Sequence, residues 1–285
     1  MRGDRSGNIQ DEPGQSDLAR VDWLERTEGT IVPLAREYAT EHVVPRHRHT
    51  RAQLLHALTG IVTVTTDQGR WMVPPNHALW IPSGVEHAVA MHGRVSMRSI
   101  YVKPEAIVGL PREIRPHEIR VLGLTDLMRG LIGEAVKLPA RYEPNSRAGL
   151  IMALIIEEIP CLSERPLGLP LPADPRLAAL CRRFLAVPSP HETIDAWASS
   201  LAMSRRAFTR AFRRETGLSF LAWRQQACLF AALPRLAAGE PVTSVALDLG
   251  YESVSAFTTM FKRGLGAPPS RYLRETPPPV SEGAE

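Results

Sequence analysis

Ala207-Phe-Thr-Arg-Ala-Phe-Arg-Arg-Glu-Thr-Gly217 returns 49 residues later as Ala256-Phe-Thr-Thr-Met-Phe-Lys-Arg-Gly-Leu-Gly266, with six of the eleven aligned positions identical. Each copy follows a serine, Ser204 or Ser253, suited to accept from the first free N–H groups of a helix. Two phenylalanines four apart, Phe208 and Phe212 or Phe257 and Phe261, share one helical face. The closing glycine takes the left-handed turn that ends a helix. At about 100° per residue, Arg206, Thr209, Arg210 and Arg213 fall on the side away from the first pair of rings. The first copy is therefore expected to be a short helix with an apolar back and a cationic front.

The flanks repeat as well. Thr193 caps a shorter helix with Ile194, Trp197 and Leu201 inward, and Ala202-Met203 turns the chain into Ser204. A short helix, a tight turn and a second helix with a polar front form the helix-turn-helix arrangement, whose second helix enters the major groove of DNA. Val242-Thr-Ser-Val-Ala-Leu-Asp-Leu-Gly250, followed by Tyr251-Glu252, leads into the second copy in the same way. A longer helix over 219–238 joins the two units, and Pro234 is expected to kink it or end it early. Asp174-Pro175 opens the region with a cap and a proline at the first helical position, and Leu177, Leu180, Phe184 and Leu185 form the next buried stripe. The charge follows this division. Residues 173–275 hold 14 Lys and Arg against 8 Asp and Glu, whereas the remaining residues hold 20 against 22. The basicity lies in the C-terminal part and points to a polyanionic partner there.

The 285 residues leave room for two ordinary domains, and 44% hydrophobic with 22% charged residues is a globular composition. Cys161, Cys181 and Cys228 lack metal or redox spacing, which fits a reduced, cytoplasmic protein. No apolar run reaches the roughly 20 residues of a membrane span, and the N-terminus has no signal-peptide core. Residues 1–20 are expected to be a disordered leader and 276–285 a tail.

From about Thr30 to Val102, short β-prone runs alternate with turn signals such as Thr59-Gly60, Pro74-Pro-Asn76 and His92-Gly93. This pattern predicts a small antiparallel barrel or sandwich over 21–103. Trp71 and Trp80 are assigned to its packing, and His42, His56, His77 and His92 to ordinary surface or structural roles. His47-Arg-His49, Gln53, Gly60 and Pro82-Ser-Gly-Val-Glu-His87 resemble the two motifs of the cupin superfamily. There, two histidines two apart, a glutamate four later and a distant histidine line a β-barrel. Residues i and i+2 of a strand face one side, so His47 and His49 are expected to point inward, with His87 arriving from a neighbouring strand. The set suits a divalent metal such as Zn, Fe or Ni. Gln53 departs from the motif, because it stands where cupin enzymes hold a carboxylate. Two readings stay open: a metal site, or a metal-free pocket for a small effector.

Residues 104–159 switch to helical spacing. Leu124, Leu127, Met128, Leu131 and Ile132 form a stripe within a helix over 117–138, and a second helix over 147–159 is apolar nearly all round. Such a helix is buried in its own core or against another subunit, so the segment is expected to pack on the barrel and serve either core or homodimer face. Five prolines between 160 and 175 predict a linker over 160–173.

The run Val245-Ala-Leu-Asp-Leu-Gly-Tyr-Glu-Ser-Val-Ser-Ala-Phe-Thr-Thr-Met-Phe-Lys-Arg-Gly-Leu-Gly-Ala-Pro-Pro-Ser-Arg-Tyr resembles the DNA-binding domain of the AraC family of bacterial transcriptional regulators, and the resemblance extends over 174–275. It implies a multi-domain fold, with an N-terminal all-β cupin-like barrel carrying accessory helices and a C-terminal all-α domain of two helix-turn-helix units. It also implies an effector-controlled regulator that binds double-stranded DNA through two successive major grooves. By position, Arg206, Thr209 and Arg210 meet base edges, with Arg205 and Arg213 nearer phosphates. In the second helix Val254, Ser255 and Thr259 take the matching places, and Lys262 and Arg263 face the backbone. The first helix is expected to carry most of the sequence reading. The competing possibility is a cupin metalloprotein, either a metal-sensing regulator or an enzyme with an accessory DNA-binding domain. Against the enzyme stand Gln53 and the lack of an obvious general base or nucleophile beside the histidines.

Overall fold

The structure, a computed structural model, describes residues 17–107 and 117–274. The chain divides into two compact units, one from 1–64 and 73–165, the other from 65–72 and 166–285. Among the described residues no helix is long and apolar enough to cross a membrane.

The first unit is rich in sheet. Its strands are β1 (Ile31–Tyr38), β2 (Val43–His47), β3 (Ala52–Thr66), β5 (His77–Ile81), β6 (His87–Val102), β7 (Arg120–Gly123) and β8 (Ser163–Arg165). They run in the order β1-β6-β3-β5-β7-β8, with β2 also on β6. Alternation decides what each strand presents. On β3, Ala52 and Leu54 join an apolar cluster with Trp80, Ile100, Val102 and Leu122, whereas Gln53 and Leu55 face a cavity. Helices α2 (Asp126–Ala135) and α3 (Arg147–Glu158) supply the rest of that cluster through Met128, Leu131, Ile132, Met152, Ile155 and Ile156. Thr125 and Ser146 cap them, accepting from Met128 N and Gly149 N. A further helix, α1 (Asp17–Arg26), contributes Asp17, Val21 and Leu24 to the cavity wall.

Up to residue 173 the sequence signals and the elements differ in four places. Thr59-Gly60 and His92-Gly93 do not end strands: β3 and β6 run through them for 15 and 16 residues. Both glycines take positive φ, 70° and 75°, so the signal marks a bend within a strand. At Gly60 a Cβ would lie 2.7 Å from the Arg94 carbonyl oxygen, so no larger residue fits. Residues 120–123, expected to be helical, form β7 between β5 and β8, and the helix starts only after the Thr125 cap. The apolar run there is shared by a buried strand and a buried helix, which periodicity does not separate. Residues 160–173 are not a bare linker, because they hold β8 and β9 (Gly168–Pro170). Pro160 lies in a 3-10 turn before β8, Pro166 between the strands, Pro170 at the end of β9 and Pro172 beyond it, so no ladder N–H inside a strand is lost. Finally, α1 begins at Asp17, inside the expected leader. Residues 1–16 and the tail lie outside the described residues.

In the second unit β9 pairs with β4 (Gly69–Val73) from Gly69 to Trp71. The helices are α4 (Pro175–Ala186), α5 (Ile194–Ser200), α6 (Arg205–Thr216), α7 (Phe220–Ala237), α8 (Val242–Asp248), α9 (Val254–Leu265) and α10 (Pro269–Arg274). Pro234 does not stop α7, which continues to Ala237; the proline falls in the last turn, where the lost N–H costs a single bond. Trp197 is the hub of the core. Its ring lies 4.9–6.3 Å from those of Phe184, Phe208, Phe212, Phe220 and Trp223, and its Nε1 donates to Glu192 at 2.8 Å. Tyr251, Phe257, Phe261 and Tyr272 form a separate chain of ring contacts beneath α9.

Candidate functional site

Helices α6 and α9 are closed by the same chemistry at both ends. Ser204 Oγ accepts from Ala207 N at 3.2 Å and Ser253 Oγ from Ala256 N at 3.1 Å. Gly217 (φ 71°) and Gly266 (φ 83°) take the left-handed cap, donating to Arg213 O and Lys262 O. The turns that aim them share one pattern, Met203 N to Ala198 O and Tyr251 N to Ala246 O. The left-handed residue is Gly250 in the second turn but Ala202 (φ 54°) in the first, a conformation that costs a non-glycine residue about 1–2 kcal/mol. Glu252 is an extra residue in the second turn, which is why the repeat is offset by 49 rather than 48.

The phenylalanines of both helices are buried to 1% exposure or less, so the opposite faces are left to solvent. Arg205, Arg206, Thr209, Arg210 and Arg213 are all exposed on α6, as are Ser255, Thr259, Lys262 and Arg263 on α9, with Val254 half-buried. Arg205 is engaged with Asp195 of α5 at 3.1 Å, and the Thr209 hydroxyl donates to the Arg205 carbonyl at 2.8 Å. Among the described residues, Arg206, Arg210 and Arg213 have no carboxylate partner.

The second constellation lies on the sheet. His47 and His87 are paired in the β2–β6 register, with ring centroids 4.3 Å apart, and His49 lies 5.2 Å from His87. Each Nδ1 meets a backbone carbonyl: His47 that of Pro45 at 2.8 Å, His49 that of Arg51 at 2.5 Å, His87 that of Val85 at 2.9 Å. A carbonyl only accepts, so each Nδ1 carries a proton, and Nε2 is the atom left to hold a metal. The three Nε2/Nδ1 ligand sets approach within 4.8 Å of one another. Burial pushes His87 down to about 3, against the Val85 carbonyl bond and with help from His47 and His49, and burial lowers His49 as well. Gln53 donates through Nε2 to Ser99 Oγ (2.9 Å) and Tyr101 Oη (3.1 Å), and its Oε1 stands 3.1 Å from His49 Nε2. The enclosed space is about 40 Å³, with Leu34, Leu55, Val89 and Met97 on its apolar side.

Comparison with known proteins assigns both halves. Residues 31–158 match the AraC-like ligand binding domain and residues 197–275 a helix-turn-helix domain. The HTH-type transcriptional regulator NimR of Escherichia coli is 36% identical over 231 residues, covering 80% of this chain and 82% of NimR. The chain belongs to the AraC family. The arabinose operon regulatory protein of Salmonella typhimurium is 24% identical, over 75% of this chain and 80% of its own length. Among solved structures, ToxT from Vibrio cholerae aligns over 86% of this chain and 98% of its own at 9% identity, with a TM-score of 0.35. The protein is thus an AraC-type regulator of transcription, with a helix-turn-helix DNA-binding domain after a ligand-binding one.

The sheet-rich unit, an AraC-type ligand domain, holds the histidine-lined cavity. His47, His49, His87 and Gln53 come together as the motif spacing predicts, with Gln53 Oε1 in hydrogen-bond contact with His49 Nε2. His87 Nε2 is fully buried and has no hydrogen-bond partner. An orphaned buried acceptor of this kind costs about 1–3 kcal/mol. A divalent cation among the three Nε2 atoms removes that cost, and imidazole is a preferred ligand for zinc, copper, iron and nickel. The residues therefore fit a metal. The other histidines do not join them: His42 bonds Asp17 at 2.8 Å, His56 bonds the His77 carbonyl at 2.8 Å, and His92 bonds Thr63 at 2.9 Å. Sequence reasoning missed Ser99 and Tyr101. Both are at odd positions of β6, the parity of His87, so the strand alternation carried that signal.

Proposed function

We propose that this AraC-type regulator reads its operator chiefly through α6 and anchors it through α9. The observation that carries the reading is the contrast between their solvent faces: Arg206, Arg210 and Arg213 on one, Ser255 and Thr259 with Lys262 and Arg263 at the far end on the other. Arginine forks bind guanine O6 and N7 in pairs, whereas short hydroxyls discriminate little. In this reading Arg206, Thr209 and Arg210 meet base edges, and Arg213, Lys262 and Arg263 meet phosphates. Arg205 reaches a phosphate by exchanging its exposed bond to Asp195, and Val254 and Ser255 touch the groove floor. Selection of duplexes from a random pool by the full chain tests this. Two conserved blocks about one helical turn apart are expected, one stronger and containing guanine; recovery of unselected sequence would refute it.

The ligand-binding half is read as the control element, and the protein as a cytoplasmic homodimer. Leu150 (62% exposed), Leu154 (41%) and Leu127 (50%) leave an apolar strip in solvent on α2 and α3, beside an open groove of about 700 Å³ rimmed by Asp126, Glu134 and Arg147. Charges of both signs around one apolar patch are self-complementary under a two-fold axis. Leu150→Asp with Leu154→Asp is expected to convert dimer to monomer in light scattering while far-UV circular dichroism is unchanged. A wild-type monomer at micromolar concentration would remove this part of the reading.

The orphaned His87 nitrogen favours a second reading of the ligand, in which His47, His49 and His87 hold a divalent metal and the protein is a metal-responsive regulator. Bound there, the cation supplies a Lewis-acid centre with room for another ligand. The role of the chain's own residues is to orient it: the Pro45, Arg51 and Val85 carbonyls fix the imidazole tautomers, and Ser99 and Tyr101 fix Gln53.

A further inference from the structure

We propose that the cavity takes a metal and a small carboxylate together, so that the regulator responds to the pair and not to either alone. The inference rests on the metal reading above and adds to it the chemical class of the second ligand.

Charge is the first argument. An imidazole binds a metal only in its neutral form, and the fourth polar group against the three, Gln53, is an uncharged amide tied to Ser99 and Tyr101. The ligand set contains no carboxylate among the described residues. Asp17, the acid on the cavity wall, is bonded to His42 at 2.8 Å, and Glu25 is bonded to Thr50 N and Oγ at 2.7 and 2.5 Å. Both acids lie outside the ligand set, so a divalent cation at His49 and His87, which are 3% exposed or less, would have no anionic ligand from the chain bonded to it. An uncompensated buried charge is strongly unfavourable, and one anionic ligand halves it.

Size is the second argument. Ordinary organic-effector pockets measure roughly 300–1,000 Å³, whereas this cavity measures about 40 Å³, room for a few waters at the roughly 10–15 Å³ that each needs. That space suits a metal ion with a one- to three-carbon carboxylate. Leu34, Leu55, Val89 and Met97 offer the alkyl end an apolar wall. Because each ligand is bound through the other, each must raise the affinity of its partner by the same factor.

Cobalt(II) titration of the metal-free full-length protein, read by visible absorption, with and without acetate or propionate, tests this. Saturating carboxylate is expected to tighten cobalt binding at least tenfold and to shift the ligand-field bands. In the shape-conserving variant Gln53→Glu, where the chain supplies its own carboxylate, cobalt is expected to bind tightly and the added anion to have no effect. If wild-type protein binds cobalt equally tightly with and without carboxylate and the bands do not move, the pairing is wrong while the metal site stands. If the folded wild-type protein gives no ligand-field bands in any buffer, the metal reading itself fails, and the pairing with it.

Discussion

Arg210→Ala is expected to erase preference at one or two base pairs of the operator, weakening specific binding by about 1–3 kcal/mol, a factor of roughly 5–150, while binding to random duplex changes far less. Arg210 lies on the exposed front of α6, one turn beyond Arg206, and Phe208 and Phe212 behind it are buried to 1% or less. Among the described residues Arg210 has no carboxylate partner, so the base contact proposed for it breaks no ion pair. Lys262, in the last turn of α9, serves as the contrast. Lys262→Ala should weaken specific and random DNA alike and lower the slope of log K against log salt by about 0.9, the value for one lost phosphate contact. Fluorescence anisotropy over a salt series on specific and scrambled duplexes measures both quantities. Equal losses on the two duplexes from Arg210→Ala would sink the proposed division of labour.

The helical half was the more legible one because its signals are local. Ser204 and Ser253, the two phenylalanine pairs, Gly217 and Gly266 each act within a few residues of sequence, and every one appears in the structure in the expected role. The sheet-rich half depends on pairings far apart in the chain, and there the same kinds of residue were ambiguous. Gly60 and Gly93 look like turns but bend continuous strands, and Val121-Leu122 looks like a helix start but is a strand held between β5 and β8. His47, His49, Gln53 and His87 were identifiable as a group from strand parity and motif spacing. Their protonation pattern was not, since it depends on the carbonyls of Pro45, Arg51 and Val85, which only the folded backbone brings to each Nδ1.

Trp197→Ala is expected to have the largest effect on stability of any single change in the second unit. The side chain is 2% exposed and touches five other aromatic rings, two of them, Phe208 and Phe212, on the back of α6. Truncating a buried tryptophan costs about 3–5 kcal/mol through lost burial and the cavity left behind. Aromatic edge-to-face pairs add about 0.5–1.5 kcal/mol each beyond burial, which places this site at the upper end. Domains are stable by only about 5–15 kcal/mol, so the variant should shift the urea midpoint steeply and lose specific DNA binding, although Trp197 itself belongs to the core. Phe257→Ala is the matched control, because its ring contacts are Tyr251 and Phe261 beneath α9. That change should loosen the anchoring helix and reduce affinity for all duplexes, leaving the base preference set by α6 in place. A Trp197→Ala protein with an unchanged urea midpoint and undiminished selectivity would show that α6 is held by something other than the ring cluster behind it.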